Sequence, residues 1–124
     1  MSALAELTEA VDATLRPYAV DDPPRGEWEE RIDGDRGFVM EAVYEGYLLH
    51  YGEPRAFAGM DGDLRLLAGD TLYAIGLERL ARAGDIEAVA ALADLITACA
   101  RAQAEDRPED VPALWERTLT RLRR

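Results

Sequence analysis

Apolar residues recur every three or four positions along most of the chain, the period of an amphipathic helix. Leu4, Leu7, Val11, Leu15 and Tyr18 share one helical face, with Glu6, Glu9 and Asp12 between them. They predict a first helix ending near Pro17. Asp21 to Gly26 contains two prolines, each of which fixes φ and removes a backbone donor, so a surface loop is expected there. Trp28 and Ile32 mark one apolar turn before Asp33-Gly34-Asp35. Phe38, Val39, Ala42, Val43, Gly46, Tyr47 and Leu49 then predict a second helix from Asp35 to Tyr51, stopped by Gly52-Glu53-Pro54.

A third helix is expected from Asp63 to Ala83, with Asp61 or Asp63 capping its start. Leu64, Leu67, Ala68, Leu72, Ile75 and Leu80 occupy one side, and Leu66, Tyr73 and Leu77 make the other apolar too. An all-round apolar helix is expected to be buried. Gly84 suits the left-handed residue after a helix and Asp85 suits an N-cap, which predicts a tight antiparallel hairpin into a fourth helix. There Val89, Leu92, Ala93, Ile96, Cys99, Ala100 and Gln103 form a stripe among many alanines. After a break at Arg107 to Asp110, Val111, Leu114, Trp115, Leu119 and Leu122 define a last helix. No segment alternates with period two, so the expected fold is all-α: a bundle of about five helices forming a single domain over residues 1–124.

Composition narrows the function. A hydrophobic content of 48% in 124 residues suffices for one core, and no apolar run is long enough to insert into a membrane. The acidic N-terminal stretch does not read as a secretion signal, so a cytoplasmic protein is expected. A net charge of −11 repels phosphate backbones and argues against nucleic acid as a partner. Every basic side chain is arginine, which excludes a Schiff-base lysine. With one cysteine, one histidine and only Ser2 as serine, the chain cannot assemble an internal disulfide, a Cys/His zinc site or a serine triad.

The remaining candidates are few. Asp33-Gly34-Asp35 and Asp61-Gly62-Asp63 pair carboxylates as a hard cation requires, but both also read as helix starts. His50 closes an aromatic-rich helix without an evident partner, where the negative end of the helix dipole favours it. Cys99, on the apolar stripe of helix four, is expected to pack as a small hydrophobe. Tyr44, Tyr47, Tyr51, Phe38 and Phe57 concentrate aromatic surface suited to a pocket or an interface.

Leu66-Leu67-Ala68-Gly69-Asp70-Thr71-Leu72, with Leu80, Gly84-Asp85 and the alanine-rich helix that follows, resembles the middle of the trans-isoprenyl diphosphate synthases, the polyprenyl synthetase family. Leu48-Leu49-His50, Gly52-Glu53-Pro54 and Ala102-Gln103-Ala104-Glu105 extend the resemblance over about half the chain, from Leu48 to Glu105. Family members bind Mg²⁺ and an allylic diphosphate through two aspartate-rich motifs. Here the first looks excised before Tyr51 and the second is missing, so only Asp70 carries over. The resemblance implies part of the isoprenoid synthase fold without its own prenyl transfer. The expected role is therefore a non-catalytic assembly unit, either a homodimer or a partner subunit of a larger synthase. A second reading is a binding protein for a hydrophobic or isoprenoid ligand, using Tyr47, His50, Phe57, Asp70 and Tyr73. A third is a metal-dependent enzyme acting on diphosphates, with Mg²⁺ on Asp61, Asp63 and Asp70; otherwise no cofactor is expected.

Overall fold

A computed structural model describes residues 1–124 as an all-helical bundle. Its helices are α1 (Ala3–Ala10), α2 (Gly34–Tyr51), α3 (Gly62–Arg82), α4 (Ile86–Ala104) and α5 (Val111–Leu122). Short 3-10 turns lie at Arg16–Tyr18 and Pro108–Asp110. The buried apolar side chains form one contiguous cluster drawn from all five helices. No helix is long and apolar enough to cross a membrane.

The central element is α2 rather than α3. Nearly every residue of α2 from Gly37 to Leu49 is buried or half-buried, because α1, α3 and α4 all pack on it. On α3, by contrast, Leu66 and Leu67 are more than half exposed (54% and 57%), which corrects the expectation of a fully buried helix. Helix α3 packs against α2 and α4, and its remaining side faces solvent. Where α2 and α3 cross, Gly46 and Gly69 sit opposed: a Cβ on either would come 2.9 Å from the carbonyl oxygen of the other. Gly76 lies farther along the same seam, against Val39 and Val43.

The local stop signals explain most boundaries. Asp61 caps α3 by accepting from the Leu64 amide (2.8 Å), and Asp85 caps α4 by accepting from Ala88 (3.3 Å). Gly84 takes the left-handed conformation (φ 75°) that the tight α3–α4 turn requires. Helix α1 ends earlier than its hydrophobic pattern predicts. The Asp12 carboxylate accepts from Thr14 and Leu15 amides, starting a separate turn at the point where the backbone of Val11 becomes extended. Val11 and Leu15 still reach the core.

Two buried carboxylates hold the loops. Glu41 and Glu45, one turn apart on α2, are fully buried and share Arg55 (2.8 and 3.1 Å). Glu41 also accepts from the amides of Trp28 (2.6 Å) and Glu29 (2.9 Å), and Glu45 from those of Arg55 (2.8 Å) and Ala56 (2.7 Å). The proline-rich segment lies on the surface as expected, with Asp21, Asp22, Pro24 and Arg25 exposed, but it is pinned at two points. Pro23 and Gly26 are buried, and Gly26 has no room for a Cβ beside the Glu41 carboxylate. The second loop joins the first through an isolated antiparallel bridge, Ala19 to Phe57.

Arg36 is a further tie. It forms a two-pronged pair with Asp85 (both contacts 2.8 Å) and donates to the Leu122 carbonyl (2.5 Å). The start of α2, the α3–α4 turn and the end of α5 thus meet on one guanidinium.

Candidate functional site

Aromatic residues spaced three and four apart on α2 form the backbone of the site. Tyr44, Tyr47 and Tyr51 follow one another up the helix, stacked or tilted at 6.3 and 5.2 Å between ring centres. Trp115, on the amphipathic face of α5, meets Tyr44 edge-on at 4.8 Å and stacks with Trp28 at 5.5 Å. At the other end His50 stands edge-on to Tyr51 (5.7 Å) and to Tyr73 of α3 (5.2 Å). Seven rings therefore run continuously from the loop at Trp28 to the middle of α3.

The tryptophan end opens into a groove of about 320 Å³ between the Trp28 turn, α2 and the start of α5. Trp28, Tyr44, Tyr47 and Trp115 line it with Val111, Pro108 and Pro112, and Glu27 and Glu116 add carboxylates. Glu116 is committed to Arg31 through two contacts of 2.7 and 2.6 Å, and the same guanidinium lies 5.3 Å from the Trp28 ring centre. Glu27 is exposed and enters no ion pair or side-chain hydrogen bond. Burial, and then the Glu27 charge, push the Tyr44 phenol above its ordinary pKa. Tyr47 is raised by burial, partly offset by the Gln103 side-chain amide, which donates to its hydroxyl at 2.8 Å. Behind the rings Cys99 is buried and free, its thiol pushed up to about 11 by burial, which suits packing rather than nucleophilic attack.

The histidine end is a helix junction. His50 Nε2 lies 3.0 Å from the Leu66 carbonyl and 3.2 Å from Asp70 Oδ1. A carbonyl oxygen only accepts, so this nitrogen carries the proton and donates across to α3. The Asp70 partner corrects the view of His50 as a helix-terminal residue without one. Arg65 secures the same junction by donating to Leu48 and Leu49 carbonyls (both 3.0 Å) and to Gly52, satisfying the orphan acceptors at the end of α2. Tyr73 is raised strongly by burial.

Of the residues singled out from sequence, Tyr47, His50, Asp70 and Tyr73 belong to this ring system or its edge. Phe57 does not. It is buried in the bridge to Ala19 and lines a separate cavity of about 190 Å³ beside Leu49, Met60 and Arg65. Phe38 also lies apart, under the Arg79 guanidinium at 3.6 Å. Asp61 serves as a cap and Asp63 is exposed in the first turn of α3. No three His, Cys, Asp or Glu side chains converge as a metal site, so Asp61, Asp63 and Asp70 do not make one between them. Sequence reasoning missed Glu27, Trp28, Trp115 and Glu116 as neighbours of Tyr44 and Tyr47, because only the fold brings the Trp28 turn and α5 together. No protein-family model matches the chain, and no curated protein or solved structure is significantly similar to it.

Proposed function

We propose that this protein is a helical binding module whose tryptophan-end groove takes a small organic ligand by aromatic contact. The observation that carries the reading is the groove itself, where the half-buried Tyr44 and Tyr47 and the edges of the nearly buried Trp28 and Trp115 meet beside two carboxylates in a volume within the range of small-ligand sites. Rings that are stacked on one another and anchored on helices are already ordered, so a ligand meets a preformed surface at little entropic cost. With Glu116 matched by Arg31, Glu27 is the carboxylate that would repel a diphosphate, which favours other ligands over an isoprenoid diphosphate. A cytoplasmic location belongs to this reading and accords with the unpaired Cys99.

The test is direct because the chain's two tryptophans both line the groove. Titration with a panel of small aromatic and aliphatic compounds should change tryptophan emission and raise the melting temperature for those that bind the folded state. A flat response in both measurements across the panel overturns the reading.

A second reading, a homodimeric or synthase-partner assembly unit, is favoured by a different observation. Leu66, Leu67 and Tyr51 are 54%, 57% and 44% exposed near the His50 junction. Exposed leucines and a tyrosine in one neighbourhood are the composition of an interface core. Light scattering at tens of micromolar should then report a dimer that Leu66→Ser/Leu67→Ser returns to monomer. A strictly monomeric parent protein removes the homodimer version.

A further inference from the structure

We infer that α4 is a self-association surface: two copies of this chain dock through an antiparallel α4–α4 contact, across a two-fold axis near Asp94 and Leu95. The inference rests on the homodimer reading and names its face. Helix α4 carries two apolar seams. Ala88, Leu92, Leu95, Cys99 and Ala102, in alternating steps of four and three, are buried against the rest of the chain. Ile86, Val89, Ala93, Ile96, Ala100 and Gln103, in alternating steps of three and four, form a second seam that the chain leaves open. Ile86 is 68% exposed, Ala93 and Ala100 are exposed, and the other three are only half-buried. Such alternation is the spacing by which one helix meets another along its length. No charge interrupts it, in a chain of which 31% is charged.

The occupant is a second copy because the seam complements itself. Run antiparallel about a point between Asp94 and Leu95, Val89 meets Ala100 of the other copy and Ile96 meets Ala93, so each β-branched side chain falls opposite an alanine. Charge matches in the same register. Arg101 falls opposite Glu87 of the other copy, twice over by symmetry, and neither enters an ion pair within its own chain. Asp94 would meet its own copy beside the axis, but Arg121 already neutralises it at 3.0 Å. Each chain carries −11, so copies repel over most of their surface, and an uncharged seam flanked by matched pairs is where they can meet. The seam also runs toward the exposed Tyr51 of the homodimer reading, since Gln103 donates to Tyr47, whose ring centre lies 5.2 Å from that of Tyr51. A helix pair of 19 residues each, about 28 Å long, buries an area at the low end of specific interfaces, so the dimer should come apart in the micromolar range.

The experiment is light scattering of the full chain over a dilution series up to about 100 μM. The parent should pass from monomer to dimer. Ala93→Glu, on an exposed position, brings two new carboxylates to the axis and should weaken association at least about thirtyfold while the helical circular dichroism stays at the parent level. Arg101→Glu and Glu87→Arg should each weaken it about tenfold, and the double variant should recover to within about threefold of the parent. This exchange also keeps the test standing if Ala93→Glu fails to fold. A double variant as weak as the single ones overturns the antiparallel register and with it the inference. A dimer that Ala93→Glu leaves intact and Leu66→Ser/Leu67→Ser dissociates overturns the α4 face while keeping the homodimer reading. A strictly monomeric parent overturns both.

Discussion

Helix α2 is held in two different ways on its two sides. Toward the loops it presents Glu41 and Glu45, and the contact is polar: one guanidinium and four backbone amides converge on two carboxylates that water does not reach. Toward α3 it presents Gly46, and the contact is steric, with backbone carbonyls approached closely because no Cβ intervenes. The first side can organise irregular segments that have no repetitive hydrogen bonding of their own. The second suits two regular helices, whose backbones are already satisfied and need only fit. The aromatic groove lies over the first side and the His50 junction over the second, so the two ends of the aromatic row rest on supports that fail for different reasons.

Removing the cation from the polar side should have the largest effect. Arg55→Met leaves two buried carboxylates without a counter-charge and should destabilise the fold by about 3–5 kcal/mol, read by denaturant unfolding. A buried ion pair can often be replaced by apolar residues at no loss. Here the triple variant Arg55→Met/Glu41→Met/Glu45→Met should stay strongly destabilised, because the amides of Trp28, Glu29, Arg55 and Ala56 would lose their acceptors. Recovery to parental stability would show that the carboxylates do not hold the loops.

The steric side should respond to a single methyl group. Alanine gains about 1 kcal/mol over glycine in helix propensity. Gly69→Ala nevertheless should destabilise by about 1–3 kcal/mol, since the new carbon overlaps the His50 ring and crowds the Gly46 carbonyl. Gly62→Ala, in the first turn of α3 with open space around it, should instead raise the melting temperature slightly. The same substitution with opposite signs separates close approach from propensity.

The smallest effect concerns acid. Asp85 is held below the usual carboxylate range by its hydrogen bonds from Arg36 and, after these, by the Ala88 amide. A depressed folded-state pKa stabilises above the ordinary value, near pH 4, and the contribution is lost as pH falls through the lower folded value. Asp85→Asn should therefore lower stability at neutral pH and flatten the decline below about pH 4, measured as melting temperature against pH.

Local features were the legible ones. Gly84 and Asp85 announced their turn, Asp61 its cap and Val111 to Leu122 their helix, because each depends on neighbours in sequence. The centrality of α2 was hidden by its own charges. Nothing within α2 reveals that Arg55 and two loops will enclose the carboxylates of Glu41 and Glu45. Helix α3 misled in the opposite sense, since leucines at 66 and 67 imply burial only if a neighbour covers them. The candidate site was half visible: the tyrosine spacing on α2 marked one wall, while Trp28 and Trp115 arrive from segments that only the tertiary fold brings together.

The Arg36 clasp has a kinetic consequence. Most packing here joins consecutive helices, and such local contacts form early and fast. Asp85 and Leu122 lie 49 and 86 residues away along the chain from Arg36, so these bonds close long loops and belong to the late side of the folding barrier. Loosening the clasp with Arg36→Gln should leave the refolding rate almost unchanged and speed unfolding, which makes this one side chain a setting of the protein's lifetime in the folded state rather than of its path there.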